Sequence, residues 1–327
     1  MALSKRKLFC VEVVAIISFF IAVVVVLEVL FDDCPTRIDY LYASIRQTTN
    51  SVEVAIVGNS HAGAIGKPSV LHVEKEMVGN YSVSGQDLFH AQIVISDILK
   101  QKNKLKYIVL FVDYDMLGYD LLSTNQRYTD REYYKYADTM QDMSLTNRLM
   151  ATSNFFRCNR DFSVLKEKYK RSESNNETVL KQQEENFIPV TTTNDENEAC
   201  RHRATEMTGI KFTRSLIGEN QKILQNIIDR VLSSNVQLII VVPPKRSCFY
   251  EYANKENTKL SKDALYQIVE SNNAVCFVDM YGNEMFNDDD FVDADHPNSS
   301  GVFKIGLIIT NEYENITERK KQGRVKL

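Results

Sequence analysis

The chain lacks tryptophan altogether and has no sustained basic stretch away from its extreme termini, so sixteen tyrosines and sixteen phenylalanines supply its aromatic content. A nucleic-acid binder carries a basic stripe; with a net charge of −4 and none present, that class is set aside. No C-x-x-C pair occurs among the six cysteines, which argues against a zinc cage and against a metal cofactor held by thiolates. No internal repeat is found, so a solenoid or propeller is not expected. What remains is ordinary for a globular protein: 44% hydrophobic and 25% charged residues over 327 positions, enough for one large core or two modest ones.

One segment stands apart. Lys5-Arg6-Lys7 precedes an apolar run from Leu8 to Phe31, interrupted only by Glu12, Ser18 and Glu28. The uncharged centre, Val13 to Leu27, is fifteen residues long, and the two glutamates near its ends sit where burial in lipid costs least. The following "LEVLFDDCPT" offers no small-residue cleavage site, so the run reads as an uncleaved anchor rather than a signal peptide. The basic flank then places residues 1–7 in the cytoplasm and the bulk of the chain outside. Of the cysteines beyond the anchor, Cys34, Cys158, Cys200, Cys248 and Cys276, at least one must stay unpaired within a monomer, and the sequence assigns no disulfide.

After a polar linker (32–50), strand and helix patterns alternate. Val52–Val57, Tyr81–Ser84, Tyr107–Tyr114, Val236–Val242 and Ala274–Asp279 read as strands; Gln86–Gln101, Arg214–Ser233, Lys259–Asn272 and Asn298–Tyr313 read as helices. Apolar strands spaced by helices predict a mostly parallel five-stranded sheet in a three-layer α/β/α, flavodoxin-like arrangement, with binding sites beyond the carboxyl ends of the strands. The expected domain comprises 51–117 and 214–317, interrupted by an insertion at 118–213 and followed by a basic tail, 318–327. The first part of the insertion, rich in tyrosine, reads as a helical cap; the second, rich in Asn, Thr and charge, reads as mobile.

Two short motifs carry chemistry. "VEVAIVGNSHAG" ends a buried strand at Gly58-Asn59 and presents Ser60 in a tight turn, where its hydroxyl and its own N–H can share one space. "FVDADHPNSSG" places His296 three residues after Asp293, beside Asn298 at the start of the last helix. An imidazole oriented by a carboxylate is what a serine nucleophile needs: it removes the hydroxyl proton, and the carboxylate fixes its tautomer. His61, next to Ser60, reads as structural. Lys245 and Arg246 follow the fourth strand at the same mouth and are weaker candidates for binding an anionic sugar or phosphate.

The pair G-N-S-H near the start and D-x-D-H-P-N near the end resembles the SGNH (GDSL-like) hydrolase family, over roughly Val52–Ile316 apart from the insertion. The resemblance implies Ser60 as nucleophile, His296 as base, Asp293 as its carboxylate (Asp295 being the alternative that the family spacing disfavours), and an oxyanion hole from the N–H groups of Ser60 and Gly85. It departs from the family at the third motif, where an asparagine is usual and "FVDYDML" brings Asp113 and Asp115. An ionised carboxylate only accepts hydrogen bonds and would repel an oxyanion, so the expected type is a membrane-anchored subfamily with a variant third motif. The implied activity is acyl-ester hydrolysis or O-acyl transfer without a cofactor, with acetyl groups on a cell-surface glycan as the expected substrate. A membrane-bound O-acyltransferase is an expected partner. The competing expectation is an inactive domain of the same fold that binds glycan or scaffolds an envelope assembly.

Overall fold

The computed structural model describes residues 5–32, 34–47, 51–63, 65, 77–124, 126–158, 165 and 196–321. The later part of the insertion and the end of the basic tail lie outside them. In chain order the principal elements are α1 (Lys5–Leu30), α2 (Arg37–Gln47), β1 (Val54–Val57), β2 (Val78–Asn80), α3 (Leu88–Gln101), β3 (Tyr107–Phe111), α4 (Thr129–Ala137), α5 (Leu145–Thr152), α6 (Glu196–Thr205), α7 (Ile217–Ser233), β4 (Gln237–Val242), α8 (Ser247–Tyr252), α9 (Lys255–Ser271), β5 (Cys276–Asp279) and α10 (Ser299–Lys321). The chain divides into two compact units, one of residues 1–39 with 128–176 and one of residues 40–127 with 177–327.

The second unit holds the sheet. Its five strands run in the order β2-β1-β3-β4-β5, every pairing parallel. Strand residues alternate between two apolar faces, as a sheet covered on both sides requires. Val54, Ile56, Val109, Phe111, Ile239 and Val241 face Val302, Ile305 and Ile309 of α10 in one core. On the opposite face α3 packs on β1 and α7 on β4, with α9 beside α7. All six residues of β4 are buried, and each buried Val or Ile contributes about 1.5–3 kcal/mol. The fold is therefore a three-layer α/β/α sandwich. The order in which strands are added reverses between β1 and β3, the place where such sheets open a crevice.

One strand lies upstream of its expected place. β2 is Val78–Asn80 rather than Tyr81–Ser84, although the ladder trails on: Tyr81 donates its N–H to the Ile56 carbonyl at 2.7 Å and Val83 to that of Gly58 at 2.9 Å. This edge strand has a glycine at its centre, and a Cβ there would fall 2.4 Å from the Tyr81 hydroxyl. The ring that read as strand covers the strand instead.

The first unit contains α1, α4 and α5. Among the described residues α1 is the one helix long and apolar enough to cross a membrane, and its side chains are exposed. At ~1.5 Å per residue its 26 residues rise roughly 39 Å. Glu28 near its end accepts hydrogen bonds from the Ser153 hydroxyl and, at 2.7 Å, from the Asn154 N–H. Asp39 accepts from Arg157 at 3.0 Å and from Lys135 at 2.7 Å; burial opposes its charge, but these cations outweigh burial and hold the carboxyl at about 2.

Candidate active site

The site assembles from four strand exits of the second unit. At the end of β1, Gly58 adopts φ +149°, and a Cβ there would meet the Phe111 Cβ at 2.7 Å, so glycine alone lets the chain turn this close to β3. Asn59 then folds its side chain back: its Oδ1 accepts the His61 N–H at 3.0 Å and its Nδ2 donates to Asp113 at 2.7 Å. Ser60 opens a single helical turn, so its N–H has no partner within that turn.

The loop before α10 brings the histidine. Asp293 Oδ1 accepts the backbone N–H groups of Asp295 and His296 at 3.0 and 2.8 Å, an Asx-type turn that sets the carboxylate before the imidazole. The Val292 N–H donates to the His296 carbonyl at 2.9 Å, closing the loop on itself. Asp290, bound by Lys304 at 2.6 Å and by Ser300 at 2.7 Å, pins that loop to α10. Ser60 Oγ and His296 Nε2 are 2.9 Å apart, across 236 positions of sequence, and His296 Nδ1 lies 3.0 and 3.1 Å from the two oxygens of Asp293. Ser60, His296 and Asp293 are thus brought together in one hydrogen-bonded line.

Gly85 stands in the turn after β2 with φ +74°, a left-handed conformation. Its loop is tied to the serine loop by the bond from Val83 to the Gly58 carbonyl. A Cβ on Gly85 would fall 2.6 Å from the Gln126 side-chain oxygen.

Asp113, at the exit of β3, is fully buried and belongs to a cluster of ions. One oxygen lies 2.8 Å from His61 Nδ1 and also accepts from Asn59; the other accepts from the Lys245 ammonium. Burial would raise its pKa, but His61 and Lys245 outweigh that and hold it well below the carboxylate range. Lys245, 4% exposed, is correspondingly kept charged against burial by Asp113 and Asp295. The structure therefore engages Lys245 internally, and Arg246 lies 3.8 Å from Asp288 on the outer side. Asp115, two residues on, is 7% exposed; burial and the Asp113 charge push it up to about 6.

Nothing in the sequence marks Arg203, and Asp295 enters there only as the disfavoured alternative to Asp293. Asp295 is sealed at 1% exposure, with Oδ1 3.2 Å from His296 Nδ1 and Oδ2 2.9 Å from Arg203 Nε. Arg203 lies on α6, one turn beyond Cys200, and Cys200 is disulfide-bonded to Cys248 on α8 with Cα atoms 6.2 Å apart. The same-face spacing of Cys200 and Arg203 was visible, but nothing in the sequence said which cysteine it would meet. His61, Asp295 and His296 bring ligand-type atoms within 4.8 Å of one another. Their atoms already serve Asp113, Arg203, Ser60 and Asp293, an ion-pair arrangement rather than a cage for a cation.

Burial would lower the His296 pKa, but the Asp295 and Asp293 carboxylates outweigh it and raise the group to about 9. Burial raises and His296 lowers the pKa of Asp293, with the net direction down.

No family model and no curated protein matches this chain. Among solved structures it is similar to a protein from Streptococcus pneumonia described as a candidate platelet activating factor (9% identity, TM-score 0.44, covering 83% of this chain and 90% of that one). It is similar also to a GDSL-like lipase from Bacteroides thetaiotaomicron (9% identity, TM-score 0.39, covering 83% and 90%). A third is a candidate acylhydrolase from Bacteroides fragilis (9% identity, TM-score 0.42, covering 87% and 98%).

Proposed function

We propose that this protein is a serine-dependent acyl-ester hydrolase or O-acyltransferase, anchored by α1 with its main domain outside the membrane. The observation that carries the chemistry is the line Ser60–His296–Asp293, with its 2.9 Å hydroxyl-to-imidazole contact. In the reactive form His296 is neutral, with its Nδ1–H donated to Asp293 and Nε2 accepting the Ser60 proton. Oγ attacks the ester carbonyl, and the oxygen that becomes negative is received by the N–H groups of Ser60 and Gly85. The imidazolium returns its proton to the leaving alcohol, giving an acyl-serine. Water or a sugar hydroxyl, deprotonated in turn by His296, attacks that ester and releases Ser60. Asp113 does not intrude on this hole, because its negative charge is answered by Lys245 and His61. Acetyl on an exported glycan, with a membrane-bound O-acyltransferase as acyl donor, is the substrate reading that accompanies an anchored domain. The Lys5-Arg6-Lys7 flank and the Cys200–Cys248 disulfide support the orientation, since disulfides persist in oxidising compartments.

Incubation of the full chain with a fluorophosphonate probe tests the reading. Ser60 is expected to label, and Ser60→Ala to abolish labelling without loss of folding. Because the base must be neutral and its pKa stands near 9, the labelling rate should climb as pH rises toward about 9. A chain that never labels at any pH and releases no acetate from p-nitrophenyl acetate is instead the glycan-binding or scaffolding domain.

A further inference from the structure

We infer that Arg203 is a positioning residue of this site: through Asp295 it holds the second carboxylate beside His296 so that the imidazole N–H stays directed at Asp293. The inference rests on the Ser60–His296 reading above. The argument begins from a count of protons. His296 Nδ1 carries one hydrogen, and two carboxylates lie within 3.2 Å of it. Asp293 takes the hydrogen bond with both oxygens, whereas Asp295 Oδ1 is sealed from solvent and left without one. A buried carboxylate with an unused oxygen next to an N–H is a competitor for it. What restrains Asp295 is on its other oxygen: Arg203 Nε at 2.9 Å, with His61 Nε2 at 3.3 Å and the Lys245 ammonium at 3.8 Å. Burial would favour a neutral Asp295, but Arg203 heads the charges that keep it ionised.

The guanidinium reaches this point because α6 is bolted in place. Cys200, one turn before Arg203, is joined to Cys248, and Cys200, Ala204, Phe249, Ala253 and Ala294 form a small core of their own. The Arg246 N–H donates to the Ala294 carbonyl at 3.1 Å, tying the chain after β4 to the residue between the two carboxylates. The part of the insertion that carries α6 is therefore joined to the histidine loop directly by the Arg203–Asp295 ion pair, and indirectly through α8 by the disulfide and the Arg246–Ala294 backbone bond. A single positive charge on a long, planar side chain, fixed at both ends, is suited to holding a carboxylate at one angle.

The titratable and charged groups that face His296 among the described residues can be named. Asp293 and Asp295 come from its own loop, and His61 from the turn after β1, with ring centroids 4.8 Å apart. Lys245 after β4 acts through Asp295, Asp113 after β3 acts through His61, and Asp115 lies within electrostatic reach of Arg203. Without Arg203 the Asp295 carboxylate stays ionised, because His296 and Lys245 still face it, and more of its charge falls on the imidazole; removing the Asp295 charge does the reverse. Arg203→Gln should move the midpoint of the His296 titration upward and Asp295→Asn downward, each by roughly one pH unit, equivalent to about 1.4 kcal/mol. If Arg203 works through Asp295, adding Arg203→Gln to Asp295→Asn moves the midpoint no further.

The experiment follows the His296 Cε1–H resonance of the full chain against pH, in parallel with the rate of fluorophosphonate labelling at Ser60. Expected are opposite shifts in the two single variants, none added in the double variant, and labelling of Arg203→Gln near neutral pH slower by about tenfold. Arg203→Lys, which restores charge with little change in volume, should recover the wild-type midpoint to within a few tenths of a unit. An unmoved midpoint in Arg203→Gln, or an upward shift that persists in the double variant, overturns the inference. If Arg203→Gln does not fold, the Arg203→Lys and Asp295→Asn midpoints decide alone: a lysine variant displaced as far as one unit upward, or an unmoved Asp295→Asn, sinks it. Resonance shifts as expected in a protein that never labels would leave the positioning intact and remove the hydrolase reading instead.

Discussion

Asp113 stands at the exit of β3, and its physical role follows from where its charge goes. A carboxylate with no solvent exposure is tolerable only if its charge is met, and Lys245 and His61 meet it. Breaking such a pair on one side costs more than the pair is worth, because the remaining charge stays buried; the typical loss is about 3–5 kcal/mol. Lys245→Met is therefore expected to lower the unfolding free energy by about 3–5 kcal/mol, while Asp113→Asn with Lys245→Met recovers at least half of that loss. Chemical denaturation of the three variants measures both terms. A Lys245→Met chain as stable as the wild type would mean that water reaches Asp113 and that the cluster is no scaffold. The pH dependence of the site adds a second consequence, with opposite signs for stability and activity. His296 has a folded pKa near 9 against an ordinary 6.5, so its contribution to stability is fully present below about 6.5 and is lost as pH rises through 9. Activity should rise over the same window, because only the neutral ring is a base. Denaturation midpoints and labelling rates between pH 6 and 10 should diverge accordingly; parallel trends would show that His296 controls neither.

Among the elements, α10 connects the core to the chemistry. Its first turn abuts the loop that carries Asp293 and His296, and Gly301 marks the contact: a Cβ there would fall 2.3 Å from the Asp290 carbonyl oxygen and 2.9 Å from the Pro297 Cβ. Alanine in a helix interior gains about 1 kcal/mol over glycine by propensity alone. A clash with backbone has nowhere to relax, and overpacking of this kind costs about 1–3 kcal/mol. Gly301→Ala should thus destabilise the protein on balance and slow Ser60 labelling, because the histidine loop must shift to make room. An alanine variant at least as stable and as fast as the wild type refutes the contact. The same element shows how much the sequence made legible. Strands β1, β3, β4 and β5 and the last helix were readable from apolar runs and turn residues, and so was the grouping of Ser60, Asp293 and His296 as candidates, because each motif is a local device that organises its own turn. β2 was displaced because an edge strand with a central glycine has no apolar signature of its own. Arg203, the sealed pairing of Asp295 with it and the role of Lys245 were not readable for a different reason. Which charge is buried, and against which, depends on a disulfide and a helix approach between positions 48 apart, and no local pattern encodes that.

At the scale of the whole molecule the side of the membrane on which the domain stands decides whether that approach is secured. Cross-linking a loop of 48 residues removes roughly 4 kcal/mol of chain entropy from the unfolded state, and the bond adds to the small apolar cluster and the ion pair that hold α6. In a reducing cytoplasm that bond would not persist, and Arg203 would be free to leave Asp295. The basic flank before α1 and the need for the bolt beyond it both support the proposed orientation, in which the sheet domain is exported. Cells producing the full chain are quenched in acid, free thiols are blocked, and newly reduced thiols are counted with a mass tag. Cys200 and Cys248 should appear only after reduction, and protease added outside spheroplasts should digest the domain. A domain that resists external protease and whose thiols all react before reduction would reverse the orientation. It would also make Arg203 a mobile side chain in the cell, so the His296 midpoint measured on the oxidised protein would no longer describe the working one.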